Sequence, residues 1–105
     1  MATTLKTKEG RVLRDKALYL LARREHARQE LLVKLQQRGF ALSVIHSLLD
    51  ELENENLLNE GRFIGSFIRM RSFRGMGPLK ICVELQKRGI DRNRILANED
   101  WQEMV

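Results

Sequence analysis

The segment LLVKLQQRGF, residues 31–40, returns fifty positions later as ICVELQKRGI, residues 81–90. Leu35, Gln36, Arg38 and Gly39 recur as Leu85, Gln86, Arg88 and Gly89. One fixed offset means that a supersecondary unit is present twice, and such units bury their apolar faces against neighbours rather than around a single centre. This points to a binding scaffold before an enzyme.

The periodicity within each copy is helical. Leu13, Ala17, Leu20 and Leu21 form one stripe, predicting a first helix over about 11–25. Leu31, Leu32 and Leu35 form a second that stops at Gly39, where a left-handed residue closes a helix without steric penalty. Ile45, Leu48, Leu49 and Leu52 form the third. The cycle then restarts. Asn59 is placed as an N-cap, with Leu58 and Phe63 at the two positions of a hydrophobic staple, and Phe63, Ile64, Phe67 and Ile68 face inward. The GMGP stretch breaks this fourth helix, and Pro78 suits the first turn of the next, capped by Gly77. Ile81, Cys82 and Leu85 repeat the stripe of the second helix, and Asp91 is placed to cap a short sixth helix carrying Ile95 and Leu96. Ala27 stands where Gly77 stands in the other copy, followed three residues later by Glu30. Half a capping box is therefore present without its hydroxyl, a loss of about 1 kcal/mol. No strand-like alternation persists and connections are short, so the class is all-α: tandem three-helix repeats in an elongated array.

Charge is segregated along the chain. From Ser43 to Gly61 there are five acidic residues, Asp50, Glu51, Glu53, Glu55 and Glu60, and no lysine or arginine. From Arg62 to Lys80 the pattern inverts, with Arg62, Arg69, Arg71, Arg74 and Lys80, and Lys87 and Arg88 extend it. The net charge of +5 favours acidic partners, either nucleic acid or the acidic face of another protein. Each run can also serve as the solvated face of an amphipathic helix, and cations near the end of the fourth helix favour its dipole.

Several classes of chemistry lack their residues. His26 and His46 fall in different helices with no acidic spacing for a metal or proton relay, and both are expected at the surface or its boundary. The serines lack a nucleophile motif, and the acidic run reads as solvation rather than a paired acid and base. Cys82 is the only cysteine, which removes an internal disulfide and a thiolate zinc site, and it lies on a buried stripe. No catalytic residue, metal or cofactor is expected. No signal peptide and no membrane span are recognised, so a cytosolic protein is expected.

The segments REHARQELLVKLQQRGF and LLNEGRFIGSFIRMRSFRGMGPLKICVELQKRGI, with Asp100 and Trp101 beyond them, resemble the RecX family of bacterial regulatory proteins. The resemblance covers Leu13 to Met104. It is most specific from Leu57 to Ile90, where Arg62 and Phe63, Arg71 and Arg74, Gly75, Gly77 and Pro78, then Glu84, Leu85, Arg88, Gly89 and Ile90 fall in family order. It implies a non-enzymatic modulator, usually an inhibitor, that binds RecA recombinase filaments on DNA in recombination and SOS-type repair. Three positions depart from the family pattern. A third three-helix unit is usual, whereas this sequence ends at Val105; Met76 stands where an aromatic is common; and Ala27 replaces a serine cap.

The expected organisation is a flexible leader over 1–10, repeats over 11–57 and 58–98, and the truncated start of a third repeat over 99–105. The expected contacts with a RecA filament or DNA are Arg62, Arg69, Arg71, Arg74, Met76, Lys80, Lys87 and Arg88. The competing expectation is a direct DNA-binding module of helix-turn-helix type, which explains the charge but not the repeat.

Overall fold

The computed structural model describes residues 7–105 and is all-α. Its helices are α1 (Lys8–Arg23), α2 (Arg28–Gln37), α3 (Leu42–Asn54), α4 (Glu60–Phe73), α5 (Pro78–Lys87), α6 (Arg92–Ala97) and α7 (Glu99–Met104). They divide into two units, Met1–Asn59 and Glu60–Val105. Both units are built from the repeated sequence in tandem: α2 and α5 start and stop fifty positions apart.

In the first unit α1, α2 and α3 pack on one another around Leu13, Ala17, Leu31, Leu35, Ile45, Leu48, Leu49 and Leu52, all wholly buried. These are the positions that the helical spacing assigns inward. Leu58 joins the same core. Of the leader expected over 1–10, residues 1–6 lie outside the described residues, and Lys8–Gly10 are helical. The reason is a cap: Thr7 Oγ1 accepts from the Gly10 amide at 2.8 Å, and Glu9 in the first turn complements the helix dipole. At α2 the hydroxyl half of the capping box is absent and its reciprocal half is formed, with Glu30 Oε1 accepting from the Ala27 amide at 3.4 Å.

Both second helices end in the same reversal. Gly39 and Gly89 take φ of 93° and 88°. In the second unit the Gly89 amide donates to Gln86 O at 3.0 Å and the Ile90 amide to Leu85 O at 3.2 Å, the paired bonds of a Schellman end. The fourth helix closes identically at Gly75, and the third closes on Asn56 at φ 60°, an end that the sequence pattern does not announce.

The third helices differ. α3 runs unbroken for 13 residues, whereas the corresponding stretch of the second unit is split into α6 and α7 by extended backbone at Asn98. Asn98 stands at the position of the buried Leu48. Its side-chain Nδ2 donates to Gly61 O at 3.3 Å and its Oδ1 accepts from the Asp100 amide at 2.9 Å, so a polar side chain caps a new helix where its counterpart fills a core. Residues 99–105, expected to open a third repeat, lie in the second unit, where α7 packs against α4 and α6. Arg69 pairs with Asp100 at 2.8 Å, and Arg94 pairs with Glu60. Gly65 of α4 leaves room for this approach, since a Cβ there would collide with the Asp100 carboxylate and press on Arg69. Asp91 occupies the N-cap position of α6, but its carboxylate accepts no helix amide.

One expectation is corrected outright. His26 is not a boundary residue; it is 1% exposed, whereas His46 is exposed. Its Nδ1 lies 3.0 Å from Arg24 O and its Nε2 lies 2.9 Å from Lys34 Nζ. An ammonium only donates and a carbonyl only accepts, so the proton sits on Nδ1 and the Nε2 lone pair faces Lys34. The misplacement has a physical origin: His26 lies between helices, where periodicity assigns no face.

Burial, reinforced by the Arg24 and Lys34 charges, holds the His26 pKa below the ordinary imidazole value, against the opposing bond to Arg24 O. The unfolded chain therefore binds a proton that the native chain resists. The associated stability is fully present above about pH 6.5 and is lost as the pH falls below it. A urea midpoint measured from pH 7.5 to 5 should decline on the acid side, and His26→Met should flatten that decline. Gly39→Ala meets open space, so its cost is the left-handed backbone alone, about 1–2 kcal/mol, read as a lower urea midpoint at unchanged m-value. Gly65→Ala should displace α7 and shift the emission of Trp101, the sole tryptophan, to the red.

Candidate interaction face of the second unit

The end of α4 and the start of α5 are joined by the turn Arg74–Gly77, and every residue expected to bind a partner lies on these helices, on this turn or, for Arg88, at the C-cap of α5. The structure separates them into groups with different duties.

Arg71 and Arg88 are drawn inward. Their guanidinium carbons stand 4.5 and 4.9 Å from the centroid of the Phe67 ring, within cation–π range. Arg71 Nε is buried without a hydrogen-bond acceptor, and Glu84 at 3.9 Å compensates its charge rather than bonding to it. Phe67 in turn packs on Phe63 with ring centroids 5.8 Å apart. Arg88 therefore ties the end of α5 to α4 through Phe67, and Arg71 ties α4 to α5 through Glu84. Arg69 is engaged by Asp100 and so holds α7 to α4. Arg62 is exposed on the first turns of α4, away from the interhelical turn in sequence.

Arg74, Lys80 and Lys87 are exposed, and among the described residues none of them forms an ion pair. Met76 is half-buried in the turn. Beside Arg74 and Lys80 stand two residues that periodicity passes over. Phe73 is 93% exposed and Leu79 is 79% exposed, extreme values for large apolar side chains in a unit of this size. Met70 lies one turn before Phe73, and Val83 one turn after Leu79; both are also exposed. A signal for them exists in the sequence. The inward series 63, 64, 67, 68 reaches Arg71 next, so Phe73 is out of phase with its own helix, and Leu79 likewise precedes the inward series that begins at Ile81.

The arrangement presents apolar side chains flanked by uncompensated cations. It suits an apolar surface with acidic margins. It offers no nucleophile paired with a base, and among the described residues no group of three or more His, Cys, Asp or Glu is placed to hold a metal ion. No helix among the described residues is long and apolar enough to cross a membrane.

The chain matches the family models for the first three-helix domain of RecX over residues 14–52 and for the second over residues 59–96. It is 51% identical over 78 residues to the regulatory protein RecX of Halorhodospira halophila, covering 74% of this chain and 48% of that one. It is 52% identical over 83 residues to the RecX of Pseudomonas entomophila, covering 79% and 54%. Against the RecX of Pseudomonas putida it is 47% identical over 98 residues, covering 89% and 69%. The chain thus spans about half the length of the first two relatives and two thirds of the third. Two successive domain matches in the order of the two structural units, with identity near one half across most of the chain, place this protein in the RecX family of regulatory proteins.

Proposed function

We propose that this chain is a non-enzymatic regulator of the RecA recombinase, acting on filaments formed on DNA during recombination and SOS-type repair in the cytoplasm. The observation that carries the reading is the pairing of exposed Phe73 and Leu79 with unpaired Arg74 and Lys80 at the α4–α5 turn. Family membership supplies the direction, and the surface supplies the means: a protein partner buries the apolar pair while its carboxylates meet the two cations. Met76 extends the apolar surface with a flexible side chain that adapts to its partner. Arg71 and Arg88 serve as positioning residues, because withdrawing Arg88 from Phe67 or Arg71 from Glu84 loosens the packing of α4 on α5 and so the spacing of Phe73 and Leu79. Lys87 adds long-range attraction.

Direct DNA binding by a helix-turn-helix-like unit is the alternative that the basic charge alone would support. Solvent-facing phenylalanine and leucine favour a protein surface instead, because phosphate contacts call for cations and polar groups. The two readings predict different salt dependence without recombinase: a DNA binder loses affinity steeply as salt rises.

The test is recombinase-driven ATP hydrolysis on single-stranded DNA, with the 105-residue chain added at concentrations too low to coat the DNA. Inhibition is expected. Phe73→Ser and Arg74→Gln should each raise the half-inhibiting concentration about tenfold, equivalent to about 1.4 kcal/mol, with the urea midpoint unchanged. Arg71→Ala should lower the urea midpoint as well as weaken inhibition. Full inhibition by the Phe73→Ser, Leu79→Ser double variant would remove this face from the mechanism. No inhibition by the folded wild-type chain, together with steeply salt-dependent DNA binding, would transfer the function to the alternative.

A further inference from the structure

At the matching junction of the first unit, between α1 and α2, the surface has the opposite character. A cavity of about 210 Å³ is lined by Leu20, Arg23, Arg24, His26 and Lys34. Fifty positions on, Arg23, His26 and Lys34 are replaced by Phe73, Met76 and Glu84, and only the arginine at 24 recurs, as Arg74. The same scaffold position therefore carries three cations and a histidine in the first unit, and two apolar side chains, one arginine and one glutamate in the second.

The cations are held in place. Arg24 is fixed by Glu30, with Nη2 2.5 Å from Oε2 and Nη1 3.1 Å from Oε1, and Nη1 also donates to Glu25 O at 2.9 Å. Arg23 donates to the Tyr19 hydroxyl at 3.3 Å, and its guanidinium lies over that ring. Lys34 spends one hydrogen on His26 Nε2, itself wholly buried, and keeps two. Glu30 bonds to Arg24 through both oxygens and also accepts from the Ala27 amide, so it is consumed by these bonds. The three lining cations Arg23, Arg24 and Lys34 against Glu30 give an excess of two positive charges among these four side chains, and neighbouring Arg38 adds to the potential at Lys34. Like charges brought together beside a buried neutral histidine repel one another, and among the residues that line the cavity there is no carboxylate to relieve them. An anion does.

We propose that this cavity is a binding site for a phosphate group. Its volume exceeds that of a tetrahedral oxyanion, and two excess charges match a phosphate dianion, whereas a single carboxylate leaves one charge uncompensated. Guanidinium and ammonium donors from two helices meet oxygens that point in different directions. His26 braces Lys34 by accepting from it, which aims the remaining ammonium hydrogens. The phosphate comes either from a free phosphate or nucleotide, or from a nucleic-acid backbone. Exposed Tyr19 beside Arg23 would give a base a stacking surface in the second case.

The site is independent of the recombinase reading, and its test contains no recombinase. The full chain, labelled for NMR, is titrated with inorganic phosphate at constant ionic strength and pH 7, with chloride and acetate as matched references. Saturable shifts are expected at the side chains of Arg23, Arg24 and His26, absent with chloride and weaker with acetate. Lys34→Glu, which installs the residue found at this place in the second unit, should raise the half-saturating concentration at least about tenfold. Lys34→Gln does so in smaller measure without inverting charge, and Arg74→Gln with Lys80→Gln leaves it unchanged. The same resonances moving with an oligothymidylate at lower concentration assign the phosphate to nucleic acid; movement with inorganic phosphate but not with the oligonucleotide assigns it to a free phosphate or nucleotide. Shifts of equal size with chloride or acetate, no saturation, or an unchanged midpoint in both Lys34 variants would overturn the proposal.

Discussion

Each unit hangs on the reversal at the end of its second helix. Leu35 and Leu85 are wholly buried, and their carbonyls receive the Arg38 and Arg88 amides at 3.1 and 3.0 Å as the chain turns through Gly39 and Gly89. The side chain of that leucine is committed to the core while its carbonyl is committed to the turn. The direction in which the third helix leaves is thereby tied to the packing of the second. A positive φ is required at the next residue, which glycine supplies without a Cβ penalty. Once this reversal is set, Ile45 and Ile95 are carried back over the second helix and become fully buried.

On that common frame the two copies diverge by coupled substitutions. Ala17 and Leu21 of α1 correspond to Phe67 and Arg71 of α4. Ala17 is small enough to vanish into the core with Leu21 packed against that core, whereas the larger Phe67 ring, also buried, is covered by the guanidiniums of Arg71 and Arg88. A larger ring thus brings its own cationic cover. The junction after the first helix diverges in the same coupled way: arginine, histidine and lysine in one copy, phenylalanine, methionine and glutamate in the other. Duplication of a stable frame frees the junction to specialise, because the reversal and the leucine core carry the fold on their own.

The acidic run is also less free than its sequence indicates. Asp50 and Glu53 pair with Arg28 at 3.0 and 2.6 Å, and Glu55 pairs with Arg14 at 2.7 Å, so part of its charge is spent inside the first unit. These pairs are largely at the surface and contribute little stability each. Their consequence is electrostatic. The uncompensated charge shifts from the acidic run, where counting places it, to the cations at the two helix junctions, where geometry leaves it.

The order of the helices, the inward stripes and the glycine reversals were legible in the chain, because each depends on spacing along one helix or on the φ of one residue. The repeat, and the family resemblance built on it, followed for the same reason. The fates of individual cations were not legible. Arg71, Arg74 and Arg88 look alike in a charge run, yet two close over Phe67 and one stays free, a distinction made by which ring lies beneath them. His26 was misplaced because a residue between helices has no periodic address, and its burial depends on α1 and α2 meeting around it. Phe73 and Leu79 were passed over because apolar character is read as inward until packing shows otherwise. Local spacing determines which residues a helix offers to its neighbours; only the meeting of helices decides which of the remainder are covered, paired or left for a partner.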